Sequence, residues 1–168
     1  DTGAGKTMCI FAFGAEQQKP VVTVACNGGA DPSTFWGQFR KLSDGSIEFI
    51  ESSITRVIRY GGILYLDEVN FLHPRIAAIL HGLLDGRRTV VIPELGNEAI
   101  TAHPDLLVVA AYNPDYQGTR PLNEAFKNRF TIQLDFEYER YIEEQVVSPV
   151  DGVDITPLLH TDLANIEV

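Results

Sequence analysis

Short apolar, β-branched runs alternate along the chain with stretches whose apolar positions recur at helical spacing, a pattern that predicts a parallel sheet flanked by helices. Val21–Ala25 reads as a buried strand running into Cys26-Asn27-Gly28-Gly29. Residues 63–66 read as a second strand introduced by Gly61-Gly62, 106–112 as a third stopped by Asn113-Pro114, and 130–134 as a fourth. Helices are expected over 6–18 and over Pro74–Leu84, where Ile76, Ile79, Leu80 and Leu83 share one face and Pro74 suits the first turn. A shorter helix is expected over 121–128 and another over 139–147.

Two segments break the strand–helix alternation. Gly45-Ser46-Ile47-Glu48-Phe49-Ile50 alternates polar and apolar residues between helix-like stretches, and Thr89–Ile92 is joined to Glu98–Thr101 through Glu94-Leu95-Gly96-Asn97. Both patterns fit β-hairpins inserted beside helices, and both fit ordinary surface loops. Beyond Ser148, scattered Pro, Gly and Asp with little periodicity read as a linker or tail. The longest apolar run, 106–112, is strand-sized and far short of the roughly 18 residues of a membrane span.

Composition narrows the function classes. With 168 residues, 45% of them hydrophobic, the chain can bury one well-formed core. Its 23 acidic against 13 basic residues give a net charge of -10, which disfavours non-specific attraction to nucleic acid or anionic membranes. Cys9 and Cys26 have no close Cys or His at metal-ligand spacing, so both are expected to be reduced and buried. The start, Asp1-Thr2-Gly3-Ala4-Gly5, lacks the features of a signal peptide, and a soluble cytoplasmic protein is the expectation.

The candidate chemistry lies in four short motifs. Gly3-Ala4-Gly5-Lys6-Thr7 leads into a helix and reads as the end of a phosphate-binding loop, with Gly3, Ala4, Gly5, Lys6, Thr7 and Met8 as candidate nucleotide contacts. Glycines let backbone amides curl around phosphate oxygens at the positive end of the helix dipole. Lys6 would reach the β- and γ-phosphates and the Thr7 hydroxyl would bind Mg²⁺; the glycine that opens the full loop, and the strand that feeds it, are expected just upstream of Asp1. A flexible terminal turn is the plainer alternative. Gly61-Gly62-Ile63-Leu64-Tyr65-Leu66-Asp67-Glu68 sets two carboxylates at the C-terminal edge of a buried strand, where ligands bind in open α/β sheets. Neighbouring strand residues face opposite ways, so two acids there need separate tasks: Asp67 holding Mg²⁺ through water, Glu68 polarising the attacking water. Asn113 ends the next strand, where its amide could orient that water, although an Asn before Pro is also a common turn former. Arg129 stands at a helix–strand junction and fits either a phosphoryl-stabilising arginine supplied to a neighbouring subunit or a surface cation in an acidic protein.

Taken in order, these motifs resemble the AAA+ superfamily, and within it the MoxR and dynein-related branch that includes NorQ/CbbQ-type activators, gas-vesicle GvpN proteins and midasin. The likeness runs from Asp1 to about Tyr138. It rests on Gly-Ala-Gly-Lys-Thr at 3–7, Asp31-Pro32-Ser33-Thr34-Phe35-Trp36-Gly37, Gly-Gly-Ile-Leu-Tyr-Leu-Asp-Glu-Val-Asn at 61–70, Ala-Tyr-Asn-Pro at 111–114 and Asn-Arg-Phe at 128–130. The resemblance implies a three-layer P-loop NTPase fold with parallel strand order 5-1-4-3-2, whose first strand would precede Asp1. It implies a core over 1–137 and the beginning of a lid or linker over 138–168, in which no sensor-2 arginine is assignable. It makes Asp67 and Glu68 the Walker B pair, Asn113 sensor 1 and Arg129 the arginine finger. The two hairpins become the family's helix-2 and pre-sensor-1 insertions, facing a ring pore or client. The family uses ATP and Mg²⁺, assembles as homo-oligomeric rings, often hexamers, and remodels or activates a partner protein. Two other functions fit the same motifs: a nucleotide-gated assembly module without effective catalysis, and the NTPase subunit of a nucleic-acid-handling complex, against which the net charge argues.

Overall fold

Three parallel strands organise the chain: β1 (Val21–Ala25), β4 (Gly62–Asp67) and β7 (Leu106–Ala110), hydrogen-bonded in the order β1-β4-β7. A computed structural model describes residues 5–26, 35–113 and 124–134, of which Gly5–Gln133 belong to one compact unit. The strands are in register, Val21 opposite Ile63 and Ala25 opposite Asp67 on one side, Gly62 opposite Leu106 and Leu66 opposite Ala110 on the other. This order matches the contiguous 4-3-2 portion of the expected sheet. The helices are α1 (Lys6–Glu16), α2 (Ser53–Tyr60), α3 (Pro74–Leu84) and a single turn, α4 (Glu124–Lys127).

Both suspected hairpins form. β2 (Gly37–Lys41) pairs antiparallel with β3 (Ile47–Glu51), and β5 (Thr89–Ile92) with β6 (Glu98–Thr101) across a short 3₁₀ turn, Pro93–Leu95. Phe39 stands directly opposite Phe49, their rings edge to face at 5.2 Å. Arg59 on α2 ties the two hairpins to the body: its guanidinium lies 2.8 Å from Glu51 on one hairpin and 2.8 Å from Glu98 on the other.

Side-chain caps mark the starts of α2 and α3. Ser52 caps α2 by accepting from the Thr55 amide, and its hydroxyl donates to the Phe35 carbonyl at 2.8 Å. The buried Thr55 hydroxyl donates to the Trp36 carbonyl at 2.6 Å, so the α2 N-terminus also holds the segment entering β2. Pro74 occupies the first turn of α3, and His73 Nδ1 accepts from the Arg75 amide.

The main core lies on one face of the sheet. Leu64 and Leu66 of β4 pack in one cluster with Ile54, Val57 and Ile58 of α2 and Ile76, Leu80 and Leu83 of α3. Ile63 and Tyr65, equally buried, point to the other face, where α1 crosses: Gly14 of α1 comes so close that a Cβ there would meet Val21 at 2.4 Å and Ile63 at 3.6 Å. The alternation along β4 therefore sends Leu64 and Leu66 to the core, and Ile63, Tyr65 and Asp67 toward α1. The strand is admitted by two glycines. Gly61 (φ +90°) would place a Cβ 2.8 Å from His103 Nδ1, and Gly62 (φ +127°) would place one 2.8 Å from the Pro20 carbonyl oxygen and 2.9 Å from Val57.

Several expectations change. Residues 130–134 form no strand: they lie beside no ladder partner among the described residues, and Ile132 and Leu134 are exposed. An apolar extended run cannot become a strand without a neighbour to satisfy its backbone. β7 stops at Ala110 rather than Tyr112 because the backbone beyond turns toward the 3₁₀ helix Val69–Phe71, where the Val69 amide donates to the Ala111 carbonyl. Cys26 is buried as expected, but Cys9 is exposed, because Gly14 is the buried residue of α1 and Cys9 points away from the sheet. Of the helix expected over 121–128, Glu124–Lys127 is helical within the described residues. The helix expected over 139–147 and the lid or linker over 138–168 lie outside the described residues, as do Gly3 and Ala4.

Candidate nucleotide site

The C-terminal ends of the three strands lie together, and the end of β4 and the segment after β7 meet the N-terminus of α1. Backbone hydrogen bonds continue past the ladders and lock those ends together: the Cys26 amide donates to the Asp67 carbonyl at 2.9 Å and the Ala111 amide to the Leu66 carbonyl at 2.8 Å. Gly5 begins the helix in the left-handed conformation (φ +77°, ψ +9°), a turn that glycine adopts without penalty. No side chain caps that end, so the first amides of α1 offer their N–H groups and the positive dipole end to an anion.

Four candidate residues converge here from distant parts of the sequence. Lys6 Nζ donates to Asn113 Oδ1 at 2.7 Å, joining the start of α1 to the segment that follows β7. The Thr7 hydroxyl lies 3.4 Å from the Tyr65 hydroxyl, which donates to Asp67 Oδ1 at 3.1 Å. The same carboxylate oxygen accepts the Glu68 amide at 3.1 Å. Asp67 is thus oriented by two donors, as a carboxylate must be if it is to present its remaining oxygen in a fixed direction. Glu68 follows in the left-handed region (φ +54°, ψ +46°), a conformation costly for a residue with a long side chain and concentrated at functional sites.

Electrostatics support a cation-binding edge. Burial pushes the Cys26 thiol up to about 12, and the neighbouring Asp67 and Glu68 carboxylates add to the rise. Burial also raises the Tyr65 hydroxyl, which therefore keeps its proton as a donor. A hydroxyl and a carboxylate form the hard oxygen set that suits Mg²⁺, and no cluster of three or more His, Cys, Asp or Glu able to cage a metal exists among the described residues. Mg²⁺ shared with nucleotide phosphates needs only one or two protein ligands and its own waters, so the residues present fit that group. A separate cleft of about 260 Å³, lined by Phe13, Lys19 and Leu107 among others, lies at the opposite end of the strands and holds none of these residues.

Arg129 belongs to a different neighbourhood. One of its terminal nitrogens donates to the Ala125 carbonyl, its buried Nε has no hydrogen-bond partner among the described residues, and its charge acts on His81 and Asp85 at the end of α3. It is therefore not part of the Lys6–Asp67 constellation within this chain. Met8 is 73% exposed on α1. Tyr65 is the residue that sequence reasoning passed over, as one more apolar position in a strand. Its spacing was a usable signal: two positions before Asp67, it shares the acid's face of β4.

With this arrangement in view, the comparisons with known proteins converge. The chain is 36% identical over 154 residues to an uncharacterized protein of Staphylococcus saprophyticus, covering 89% of this chain and 56% of that protein. It is 34% identical over 155 residues to protein CbbQ of Hydrogenophilus thermoluteolus, covering 91% and 57% respectively. The chain spans about half the length of the curated relatives it matches. Among solved structures, a Cytophaga hutchinsonii protein assigned as an ATPase superposes with a TM-score of 0.64 at 21% identity, over 85% of this chain and 42% of that one, a likeness of fold. Residues 1–130 match the AAA domain of the dynein-related subfamily, and the chain belongs to that family.

Proposed function

We propose that this chain is the core of a cytoplasmic, ring-forming AAA+ ATPase that binds ATP with Mg²⁺ and uses its hydrolysis to remodel or activate a partner protein. The observation that carries this reading is the pair of side-chain links Lys6–Asn113 and Thr7–Tyr65–Asp67, which join the phosphate-loop end, the acidic strand end and the following strand end at one sheet edge. Two links, residue 6 to 113 and residue 7 through 65 to 67, bring polar side chains from three separate segments to that one edge, as a binding site requires.

In the proposed mechanism Gly5 leaves the first amides of α1 open to the phosphates, Gly3 and Ala4 add backbone contacts to them, and Lys6 neutralises their charge. Bound Mg²⁺ would act as a Lewis acid on the phosphate oxygens, held by the Thr7 hydroxyl directly and by Asp67 through water. Glu68 accepts a proton from the attacking water, and Asn113 orients that water. Arg129, standing apart from these residues, acts on the site of a neighbouring subunit, which the ring would supply. The resemblance to CbbQ-type activators supports a protein client, and the net charge of -10 argues against nucleic acid as that client.

The direct test is Glu68→Gln in the full-length protein. Nucleotide affinity and assembly should persist while turnover falls by about 10²–10⁴-fold, the usual worth of a positioned proton acceptor. Undiminished phosphate release in this variant would remove Glu68 from the role.

A further inference from the structure

We infer that the Tyr65 hydroxyl is a positioning group for the metal site, setting the direction of both candidate ligands, Thr7 and Asp67, through one hydrogen-bonded chain. The inference rests on the nucleotide reading above and adds to it a residue that reading does not use.

The direction of the chain follows from its chemistry. An ionised carboxylate only accepts, so the single phenolic proton of Tyr65 goes to Asp67 Oδ1, 3.1 Å away. The Tyr65 oxygen is then left as an acceptor, and the hydroxyl facing it at 3.4 Å is that of Thr7. A Thr hydroxyl that binds a cation must present a lone pair to it and send its own proton elsewhere; here that proton has Tyr65 as its destination. At the other end, Oδ1 of Asp67 takes Tyr65 and the Glu68 amide together, which leaves Oδ2 to receive a cation-bound water. The ring that carries the hydroxyl cannot wander. Tyr65 is 1% exposed, in the middle of β4, paired on one side with Thr23 of β1 and on the other with Val109 of β7. A buried tyrosine reaches the site with its oxygen alone, and the positions before and after it on β4, Leu64 and Leu66, are aliphatic and belong to the core on the other face.

The Tyr65→Phe variant of the full-length protein removes one oxygen and leaves the ring in place. Mn²⁺ serves as the probe, titrated by electron paramagnetic resonance at saturating ADP, beside ADP binding measured in a chelator and a melting curve without metal. Loss of an outer-shell partner typically weakens metal binding 10–100-fold, so Mn²⁺ affinity should fall by about 10-fold or more while chelator-phase ADP binding and melting stay near wild type. Asp67→Asn is the reference. If it weakens Mn²⁺ binding and Tyr65→Phe does not, the role of Tyr65 is overturned and the site reading stands. If the wild-type protein shows no metal-dependent ADP binding, the site reading falls and the inference with it. Equal losses with and without metal in Tyr65→Phe would mark a merely structural residue and overturn the inference. Should that variant fail to fold, a ring-fluorinated tyrosine at this position keeps the hydroxyl but weakens its acceptor oxygen, and unchanged Mn²⁺ affinity would again refute the role.

Discussion

At the scale of single residues, burial and backbone conformation decide which side chains are available for chemistry. Cys9 is exposed on α1, whereas Cys26 is buried with its thiol raised to about 12, first by burial and then by Asp67 and Glu68. Because the thiolate is the reactive form, a maleimide at mild pH should label Cys9 rapidly and spare Cys26 until the protein is unfolded, as peptide mass mapping would reveal. Equal labelling of both in the native protein would contradict the burial. Glu68 offers a second residue-scale expectation. Its left-handed backbone costs on the order of 1–2 kcal/mol relative to an unstrained position, a cost glycine does not bear. Glu68→Gly should therefore hold or raise the unfolding free energy, by up to about 1 kcal/mol, while abolishing turnover; denaturant titration beside a phosphate-release assay checks both. A residue retained against its own backbone preference is one whose side chain is needed there. The acids themselves were legible from sequence, as two carboxylates ending an apolar run. Tyr65 was not, because a phenol in a strand looks like packing until its hydroxyl is seen between Thr7 and Asp67.

Elements were legible in proportion to how local their causes are. β1 and α3 fall where pattern and capping signals predict, since hydrophobic period and a first-turn proline act within the segment itself. Residues 130–134 did not become a strand, because strandhood depends on a neighbour and no pattern within five residues supplies one. The hairpins lay between these cases: alternation suggested them, and pairing with the rest of the body, including the Arg59 link to Glu51 and Glu98, was invisible from sequence. Packing between elements also makes a sharp prediction. Gly82 of α3 lies so close to β5 that a Cβ would meet the Thr89 carbonyl oxygen at 2.4 Å, and backbone cannot swing aside as a side-chain tip can. Despite alanine's better helix propensity, Gly82→Ala should destabilise by about 1–3 kcal/mol, read from the denaturation midpoint. A gain in stability would mean that α3 and β5 sit farther apart than described.

Across the whole molecule, stability should respond to mild acid through His81. His81 is held below its usual value of 6.5 first by burial, with the Arg129 cation adding to the effect and Asp85 opposing it, and its ring lies 5.6 Å from Phe126. A depressed folded value means the unfolded chain binds the proton more readily. This contribution to stability is therefore complete above about 6.5 and is lost as pH falls through the folded value. Melting temperature should drop as pH falls below about 6.5, and His81→Phe should flatten that drop; an unchanged slope would place its origin elsewhere. Asp85, lowered mainly by its hydrogen bonds from Arg87, loses its share only in more acidic solution. Pattern and motif order were enough to assign the chain to its family, while the contacts of residue 6 with 113 and of residue 7 with 65 needed three dimensions. The glycine pair at 61 and 62 shows how far such a meeting reaches. With the His103 ring against Gly61 and the Pro20 carbonyl against Gly62, β4 enters the sheet where neither position has room for a Cβ. Any bulk introduced there would be transmitted along a stiff ribbon to its far end, so a lesion well outside the site would present as misaligned carboxylates rather than as a local defect.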